Sequence, residues 1–371
     1  LPSLSNIRDK TTQVFGKRPC LWQLKAVEGI LKGDRDVVCI SGTGSGKTLT
    51  FWMPLLFRGD GIQLVVSPLK ILGKQNVDEL AAKGIRAITI NAKTATKANF
   101  RDIEDGMYRA VVVSPEILMQ EGGEFERMWK NSVFTSKIIS LVWDEGHCVS
   151  TWGGFRPEYK EARRLRYLIP RSIPFFIASA TLPTLVLQDV MDILQVQASK
   201  CLLIHRSNDR PNISLCVRKM RSAASSYKDL AFLLEGVGPE SPPPKFLIFF
   251  DDITDSIRAA KYLRKKLPLE LRSKIKWFNA DMTAAYRERE LKNLREGKTW
   301  GLFCTDSFGM GVDLPDIELI IQWKATCNLA TLWQRFGRGA RNPLLTAKVL
   351  FLVEPKHFED EKAKRAEGKA K

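Results

Sequence analysis

The chain has 371 residues, of which 44% are hydrophobic and 27% are charged. This length suits two domains of roughly 150–200 residues each, and the composition is typical of folded globular proteins. No window of about 18 apolar residues lacks charges, which excludes a membrane-spanning helix. Because no basic segment followed by an apolar one opens the chain, we expect an intracellular protein, located in the nucleus if the source is eukaryotic and otherwise in the cytoplasm or nucleoid.

The sequence is strongly basic, with 58 Lys and Arg against 41 Asp and Glu and a net charge of +17. Such an excess favours binding to polyanions through counterion release, although a solvated basic surface would explain the charge equally well. The seven cysteines show no Cys-x-x-Cys spacing, and the three histidines are far apart. We therefore predict neither a zinc site nor a disulfide framework.

Short apolar runs alternate with helix-length polar segments along both halves of the chain. This alternation is typical of α/β domains in which helices cover both faces of a mostly parallel sheet. A polar run at residues 205–212 contains the predicted linker. We therefore divide the chain into a first lobe of residues 1–206, a second lobe of residues 207–355 and a charged tail of residues 356–371. The predicted strands are residues 36–40, 63–66, 87–90, 110–113, 138–143, 175–178, 213–217, 246–250, 277–278, 301–304, 319–323 and 349–353.

A glycine-rich run at residues 41–48 follows a predicted strand and precedes a predicted helix at residues 47–53. In that context the glycines let backbone N–H groups turn toward phosphate groups, and the start of the helix adds its positive end. Lys47 would reach the β- and γ-phosphates, and the Thr48 hydroxyl would coordinate Mg²⁺. A flexible glycine turn is the alternative, which the strand and helix flanks disfavour. The predicted nucleotide-binding residues of this run are Gly42, Thr43, Gly44, Ser45, Gly46, Lys47 and Thr48.

Two carboxylates, Asp144 and Glu145, follow the buried strand predicted at residues 138–143. Open α/β sheets bind ligands at the carboxyl ends of their strands. Asp144 is suited to hold Mg²⁺, and Glu145 is suited to orient and deprotonate an attacking water. An acidic pair at a strand end is also common as a helix cap. The glycine-rich run earlier in the chain favours the catalytic role.

A third run, at residues 334–341, contains Arg338 and Arg341, which would share one face if the segment were helical. A guanidinium group at the γ-phosphate stabilises the charge of the transition state. A basic surface helix would explain an isolated pair of arginines. The run at residues 309–313, which follows a predicted strand, favours the catalytic interpretation.

These motifs resemble those of superfamily 2 helicases and, within them, of the RecQ-like DNA helicases, over residues 16–358. The RecQ-like signal is the run at residues 147–159, which is similar to the aromatic-rich loop that follows the family's Asp-Glu-x-His motif. Residues 209–212, Asp-Arg-Pro-Asn, are a second marker of the family. The resemblance implies an α/β fold of two tandem RecA-like lobes, each a mostly parallel sheet flanked by helices, with an ATP cleft between them.

The resemblance also implies ATP and Mg²⁺ as cofactors and single-stranded or partly duplex DNA as the partner, with 3′-to-5′ movement and unwinding. It adds Gln23 and Asp313 to the nucleotide site. Aromatic side chains such as Trp152 and Phe155 can stack on bases, whereas burial in a core is their alternative role. Residues that would couple hydrolysis to strand movement are Ser179, Ala180, Thr181 and Gln334. Residues that would contact the nucleic acid are Ser67, Pro68, Leu69, Ser114, Trp152, Phe155, Arg156 and Thr305.

Several positions depart from the family's pattern. The aromatic-rich loop is one residue short, Gly146 stands where the family has Ala, and Ala340 replaces a glycine between the two arginines. Arg18 and Pro19 lie farther ahead of Gln23 than in the family. No zinc-binding or winged-helix segment follows the second lobe in this sequence, so the resemblance implies a DNA-stimulated ATPase with weak unwinding.

Two alternatives stay open. An RNA helicase or a non-unwinding translocase is an alternative because the motifs that resemble strand-binding motifs, residues 67–69 and 114–116, would contact phosphates. Only contacts to the 2′-hydroxyl distinguish RNA from DNA. A nucleic-acid-binding module without hydrolysis is disfavoured, because the candidate catalytic residues are all present. The sequence leaves the oligomeric state open, and we favour a monomer.

Overall fold

The computed structural model describes residues 1–68, 70–154, 156–169, 172–309, 314–359 and 361. Residue contacts divide the chain into two compact units, Leu1–Asn208 and Asp209–Lys371. Each unit is built on one parallel sheet, so the predicted α/β class is confirmed. Within the described ranges, no helix is both long and apolar enough to cross a membrane.

The first unit contains a seven-stranded sheet in the order β3-β4-β2-β5-β6-β1-β7, and every adjacent pair is parallel. Its strands are β1 (Asp36–Ile40), β2 (Ile62–Val66), β3 (Ala87–Ile90), β4 (Ala110–Val113), β5 (Ile138–Asp144), β6 (Phe175–Ser179) and β7 (Cys201–His205). The edge strand β7 is absent from the predicted strands, because its apolar run leads directly into the polar segment assigned to the linker. The central strand β5 is buried along almost its whole length, as predicted for a sheet covered on both faces.

Helices cover both faces of this sheet, and apolar side chains from the strands and helices form a core on each face. The α-helices of the first unit are α1 (Leu4–Phe15), α2 (Leu21–Lys32), α3 (Lys47–Trp52), α4 (Lys70–Ala81), α5 (Lys97–Glu104), α6 (Pro115–Leu118), α7 (Glu124–Trp129), α8 (Ser132–Lys137), α9 (Cys148–Thr151), α10 (Leu165–Leu168) and α11 (Thr184–Ile193). Short 3-10 helices are Met53–Leu56, Pro157–Arg164 and Ala198–Lys200.

The second unit contains a six-stranded parallel sheet in the order β10-β11-β9-β12-β13-β8. Its strands are β8 (Ile213–Lys219), β9 (Phe246–Phe249), β10 (Ile275–Phe278), β11 (Gly301–Cys304), β12 (Leu319–Trp323) and β13 (Ala347–Val353). Its helices are α12 (Ile253–Lys266), α13 (Ala284–Arg295), α14 (Asp306–Gly309) and α15 (Leu329–Phe336), with 3-10 helices Ala224–Ser226, Lys228–Leu234, Leu269–Lys274 and Pro355–His357.

Because the strands of each sheet are parallel, their carboxyl ends lie at one edge. In the first unit the glycine-rich run follows β1, Ser67 follows β2, Ser114 follows β4, Glu145 follows β5 and Ala180 follows β6. The sequence motifs that are widely separated along the chain therefore share one edge of the first sheet. This is the edge at which open α/β sheets bind ligands.

Candidate active site

The glycine-rich run forms a tight loop between β1 and α3. Gly44 and Gly46 have φ angles of 77° and 84°, in the left-handed region that favours glycine. A Cβ atom on Gly46 would also lie 2.8 Å from the Gln23 side chain. Lys47 is the first residue of α3, and its Nζ donates hydrogen bonds to the carbonyl oxygens of Ser41 (2.6 Å) and Gly42 (3.0 Å). Because a phosphate forms stronger charge-assisted hydrogen bonds than a neutral carbonyl does, a bound phosphate can draw Lys47 away from these carbonyls.

Gln23 attaches the start of α2 to this loop. Its Oε1 accepts the backbone N–H of Cys20 at 2.7 Å, and its Nε2 donates to the Gly46 carbonyl at 2.9 Å. The side chain is only 4% exposed. Both ends of the amide therefore bind backbone groups of the first unit, and the predicted contact with adenine stays a prediction.

Two buried polar atoms near the loop lack hydrogen-bond partners among the residues that the structure describes: Ser45 Oγ and Asn208 Oδ1. Asn208 Oδ1 lies 3.6 Å from the place where a Cβ on Gly42 would stand. Thr48 lies in the first turn of α3 and is exposed. An unpartnered hydroxyl and the N-terminus of α3 fit an anion such as a nucleotide phosphate.

Asp144 and Glu145 lie at the carboxyl end of β5. The backbone N–H of Glu145 donates to Asp144 Oδ1 at 3.0 Å, and Glu145 has a positive φ of 50°. Burial raises the pKa of Asp144 to about 7, and the neighbouring Glu145 carboxylate acts in the same direction, whereas Lys47 opposes both. A divalent cation would stabilise the ionised Asp144 carboxylate, so this carboxyl group fits a metal ligand.

His147 connects the acidic pair to the carboxyl end of β6. Its Nδ1 lies 3.0 Å from Ser179 Oγ and 3.5 Å from Glu145 Oε2. Since the Ser179 hydroxyl donates to the Thr181 carbonyl at 3.1 Å, it can accept a hydrogen bond from Nδ1–H of His147. Burial lowers the pKa of His147, which keeps the ring neutral at pH 7. The Ser179 carbonyl also accepts the Ser41 N–H at 3.1 Å, so the glycine-rich loop joins the same network.

Gly146 is the residue that this turn requires. Its N–H donates to the Ala178 carbonyl at 2.8 Å. A Cβ at this position would lie 2.5 Å from the Cγ2 atom of Ile177, a distance that side chains do not tolerate. Ile177 therefore occupies the space that the side chain of an alanine at position 146 would need, which explains the glycine in this chain.

A groove of about 300 Å³ opens at the same edge of the sheet, and its lining includes Ser67, Pro68, Ser114 and Arg156. Nη1 of Arg156 donates to the Pro68 carbonyl at 3.2 Å, and its Nε lies 3.5 Å from Glu116 Oε1. The structure therefore brings four of the predicted nucleic-acid-binding residues together.

Trp152, another predicted contact, lies under Arg156, whose guanidinium carbon is 5.0 Å from the centre of the indole ring. The ring also packs against the core of the first unit. Trp152 is thus partly buried against the core, which was its alternative role, and also makes a cation–π contact with Arg156. Leu69 and Phe155 lie outside the described residues.

In the second unit, Arg335 of α15 is a buried residue that the sequence did not indicate as functional. Its side chain is 2% exposed. Nη1 donates to Gln322 Oε1 at 2.7 Å, Nη2 lies 2.5 Å from Asp251 Oδ1, and Nε donates to Asp306 Oδ1 at 2.8 Å. Burial alone would lower the pKa of Arg335, but Asp306 and Asp251 raise it. Arg335 therefore connects α15 to the segments that follow β9 and β11.

Arg338 and Arg341 lie in a loop rather than on a helix, so the condition for a shared helix face is not met. α15 ends at Phe336, and Gly337 caps it by donating its N–H to the carbonyls of Arg335 and Trp333. The next residues form tight turns that end in Ala340, which has a φ angle of 37°. Arg338 is only 5% exposed. We call residues 337–341 the arginine loop.

The other predicted residues of the second unit that the structure describes are Gln334, which precedes Arg335, and Thr305, which precedes Asp306. Gln334 is half-buried on α15, next to Arg335. Thr305 follows β11, and its hydroxyl lies 3.1 Å from that of Ser307. Asp313 lies outside the described residues.

Comparison with known families assigns both halves of the chain. Residues 21–190 match the family described as DEAD/DEAH box helicase, and residues 228–343 match the helicase conserved C-terminal domain. The fold of Dbp5 from S. cerevisiae, in a structure bound to RNA and ADP BeF3, is similar, with a TM-score of 0.71 and 17% identity over 97% of this chain and 89% of that one. At that identity the likeness shows the fold alone, and it confirms the predicted tandem RecA-like architecture.

Curated relatives give a more specific result. The chain is 30% identical over 359 residues to ATP-dependent DNA helicase Q-like 2 of Arabidopsis thaliana, covering 94% of this chain and 48% of the relative. It is also 30% identical over 345 residues to the probable ATP-dependent DNA helicase RecS of Bacillus subtilis, covering 91% of this chain and 64% of the relative. The chain thus spans about half to two-thirds of their length. The two matched domains and these relatives show that the chain belongs to the RecQ-like helicases of superfamily 2.

Proposed function

We propose that this chain is the motor core of an ATP-dependent DNA helicase, which couples ATP hydrolysis to 3′-to-5′ movement on single-stranded DNA and to unwinding of the duplex. The observation that carries the proposal is that the glycine-rich loop and the acidic pair lie at one edge of the first sheet, after β1 and at the end of β5, where Ser179 bonds with both Ser41 and His147. The family implies ATP and a divalent metal. Relatives that share most of this chain's length are named as ATP-dependent DNA helicases.

In this proposal the loop at residues 42–48 binds the phosphates through its backbone N–H groups and Lys47. Thr48 and Asp144 hold Mg²⁺, which when bound neutralises charge on the phosphate oxygens. Glu145 orients the attacking water and accepts its proton, and its Oε2 is buried without a hydrogen-bond partner among the described residues. Arg338 and Arg341 stabilise the charge that develops on the phosphate. Gln23 and Asp313 complete the nucleotide site.

Coupling between hydrolysis and strand movement uses His147, which hydrogen-bonds to Ser179 and lies 3.5 Å from Glu145 Oε2. The Ser179 hydroxyl and the Thr181 backbone are joined by hydrogen bonds, so a shift of either residue displaces His147 and, through it, the water-orienting carboxylate. We assign Ala180 and Gln334 to the same coupling role. A neutral His147 suits this role, because its ring can move with Ser179 without placing a positive charge beside Glu145.

The nucleic acid is proposed to bind along the groove that contains Ser67, Pro68, Ser114 and Arg156, with Leu69, Phe155 and Thr305 as further contacts. Since Arg156 covers the face of Trp152, a base can stack on that face only after the guanidinium turns toward a phosphate. The net charge of +17 favours a polyanion. We further propose Mg²⁺ rather than another divalent ion, no zinc, a monomer and an intracellular location.

The proposal is tested by ATP hydrolysis in the presence of DNA or RNA oligonucleotides of the same sequence. We expect single-stranded DNA to stimulate phosphate release more than RNA does, and Lys47→Ala to abolish release with either. Equal or stronger stimulation by RNA would favour the RNA helicase. No release with any nucleic acid would favour the non-hydrolysing module. Strand displacement from duplexes with a 3′ or a 5′ overhang then tests the direction of movement, and we expect ATP-dependent displacement from the 3′ overhang.

A further inference from the structure

The arginine loop is held by two side chains from the first residues of the second unit. Nη2 of Arg210 donates to the carbonyl oxygens of Gly339 (3.1 Å) and Ala340 (2.8 Å). Nδ2 of Asn212 donates to the Ala340 carbonyl at 2.9 Å and to the Leu345 carbonyl at 2.9 Å. The Ala340 carbonyl, which lies between the two loop arginines in the sequence, therefore accepts a hydrogen bond from each side chain.

These two side chains are themselves fixed to the sheet. Nε of Arg210 donates to Asn212 Oδ1 at 3.3 Å, so each orients the other. The backbone carbonyl of Asn212 accepts the N–H of Ala347 at 3.0 Å, and β8 begins at the next residue, beside β13. Pro211 restricts the backbone between them. Arg210 and Asn212 thus form a rigid brace between the second sheet and the arginine loop.

The loop has a conformation that needs such support. Ala340 lies in the left-handed region, with a φ of 37°, which a residue with a Cβ resists. Gly339 cannot carry a side chain without a shift, since a Cβ there would lie 2.9 Å from the Cβ of Ala347. Between Arg338 and Arg341, Ala340 is therefore strained and Gly339 has no room for a side chain, and the brace binds the carbonyls of both.

Burial lowers the pKa of Arg210, and the positive charge of Arg341 lowers it further. Arg210 donates to the two loop carbonyls and to Asn212 Oδ1, so its role differs from that of an arginine that contacts phosphate.

We propose that Arg210 and Asn212 are positioning residues for Arg338 and Arg341. By fixing the carbonyls of Gly339 and Ala340, they fix the direction in which both arginine side chains leave the loop. The inference rests on the proposed function, in which those two arginines stabilise charge on the phosphate. It gives a physical role to the Asp-Arg-Pro-Asn run, which the sequence marks only as a family signature.

The test compares Arg210→Lys and Asn212→Asp with the unchanged chain in DNA-stimulated ATP hydrolysis. Lysine keeps the charge but cannot donate to two carbonyls in a fixed plane, and aspartate keeps the volume of asparagine but loses its N–H donors. Because a displacement of about 1 Å can cost about a hundredfold in rate, we expect kcat to fall by up to that factor. KM for ATP and the affinity for single-stranded DNA should stay unchanged. Arg221→Lys, an exposed arginine of the same unit, is the matched control.

A double-mutant cycle separates positioning from a general effect on folding. In an Arg338→Ala, Arg341→Ala background, Asn212→Asp should cause little further loss of kcat, because the groups that it positions are already gone. Additive losses would overturn the proposal, as would unchanged kcat in both brace variants. Adding Ala340→Gly to Asn212→Asp should restore part of the rate, since glycine adopts the left-handed conformation without support. If Arg338→Ala and Arg341→Ala themselves leave hydrolysis intact, the proposed function fails, independently of the brace.

Discussion

Replacement of Glu145 by glutamine is expected to abolish ATP hydrolysis and to leave ATP binding intact. The amide keeps the size of the carboxylate, so the turn after β5 is preserved, but it cannot accept a proton from water. Loss of a general base typically costs about 10²–10⁴-fold in rate. Removal of one negative charge beside Asp144 also relieves the repulsion that raises the pKa of Asp144, so binding of nucleotide and metal should be equal or tighter.

The measurement pairs phosphate release with the equilibrium binding of a fluorescent ATP analogue. Glu161→Gln, which changes an exposed glutamate of the same unit, should behave like the unchanged chain in both assays. A Glu145→Gln variant that still hydrolyses ATP at the normal rate would remove Glu145 from the catalytic role. Loss of hydrolysis together with loss of binding would assign it to the binding of nucleotide or metal instead.

Replacement of Arg335 by methionine is expected to cause the largest loss of stability. Methionine keeps much of the apolar contact but leaves Asp251 and Asp306 without their shared partner. Breaking a buried ion pair typically costs about 3–5 kcal/mol, and we expect about 3 kcal/mol here, because the Asp306 side chain is 61% exposed to water. The loss of stability then comes mainly from the broken charge network, and less from any space that the shorter contacts of methionine leave.

Calorimetric unfolding tests this expectation, because each unit of a two-domain chain can unfold in its own transition. Only the transition of the second unit should move to lower temperature in Arg335→Met. Adding Asp251→Asn and Asp306→Asn should recover part of the loss, since neutral amides no longer require a cation. Arg295→Met, on an exposed position of α13, is the control that should leave both transitions in place. An unchanged second transition in Arg335→Met would show that the network contributes little.

The local motifs could be predicted from the sequence, because their chemistry depends on residues that are neighbours in the chain. The glycines of the loop before Lys47 and the apolar strand before Asp144 predict both their own conformations and their place at one edge of a parallel sheet. The fold class follows from the same alternation and is confirmed. The roles of the individual site residues are proposals that the experiments above address.

Features that depend on contacts between residues far apart in the chain could not be predicted from the sequence. Arg335 bonds with Asp251, 84 residues earlier, and no local pattern distinguishes it from a surface arginine. Its position directly before Phe336, on the apolar side of α15, was the available signal. The requirement for Gly146 depends on Ile177, which meets it only in the fold. The two loop arginines would share a face only on a helix, and Gly337 ends α15 before either of them.

The most direct test of the central claim is the rate of ATP hydrolysis by Arg338→Ala and by Arg341→Ala at saturating ATP and single-stranded DNA. We propose that these arginines of the second unit act on a nucleotide whose phosphates are bound by the loop of the first. Under this proposal each variant loses about 10³-fold in kcat, with little change in nucleotide affinity. Hydrolysis at the normal rate in both variants would contradict it.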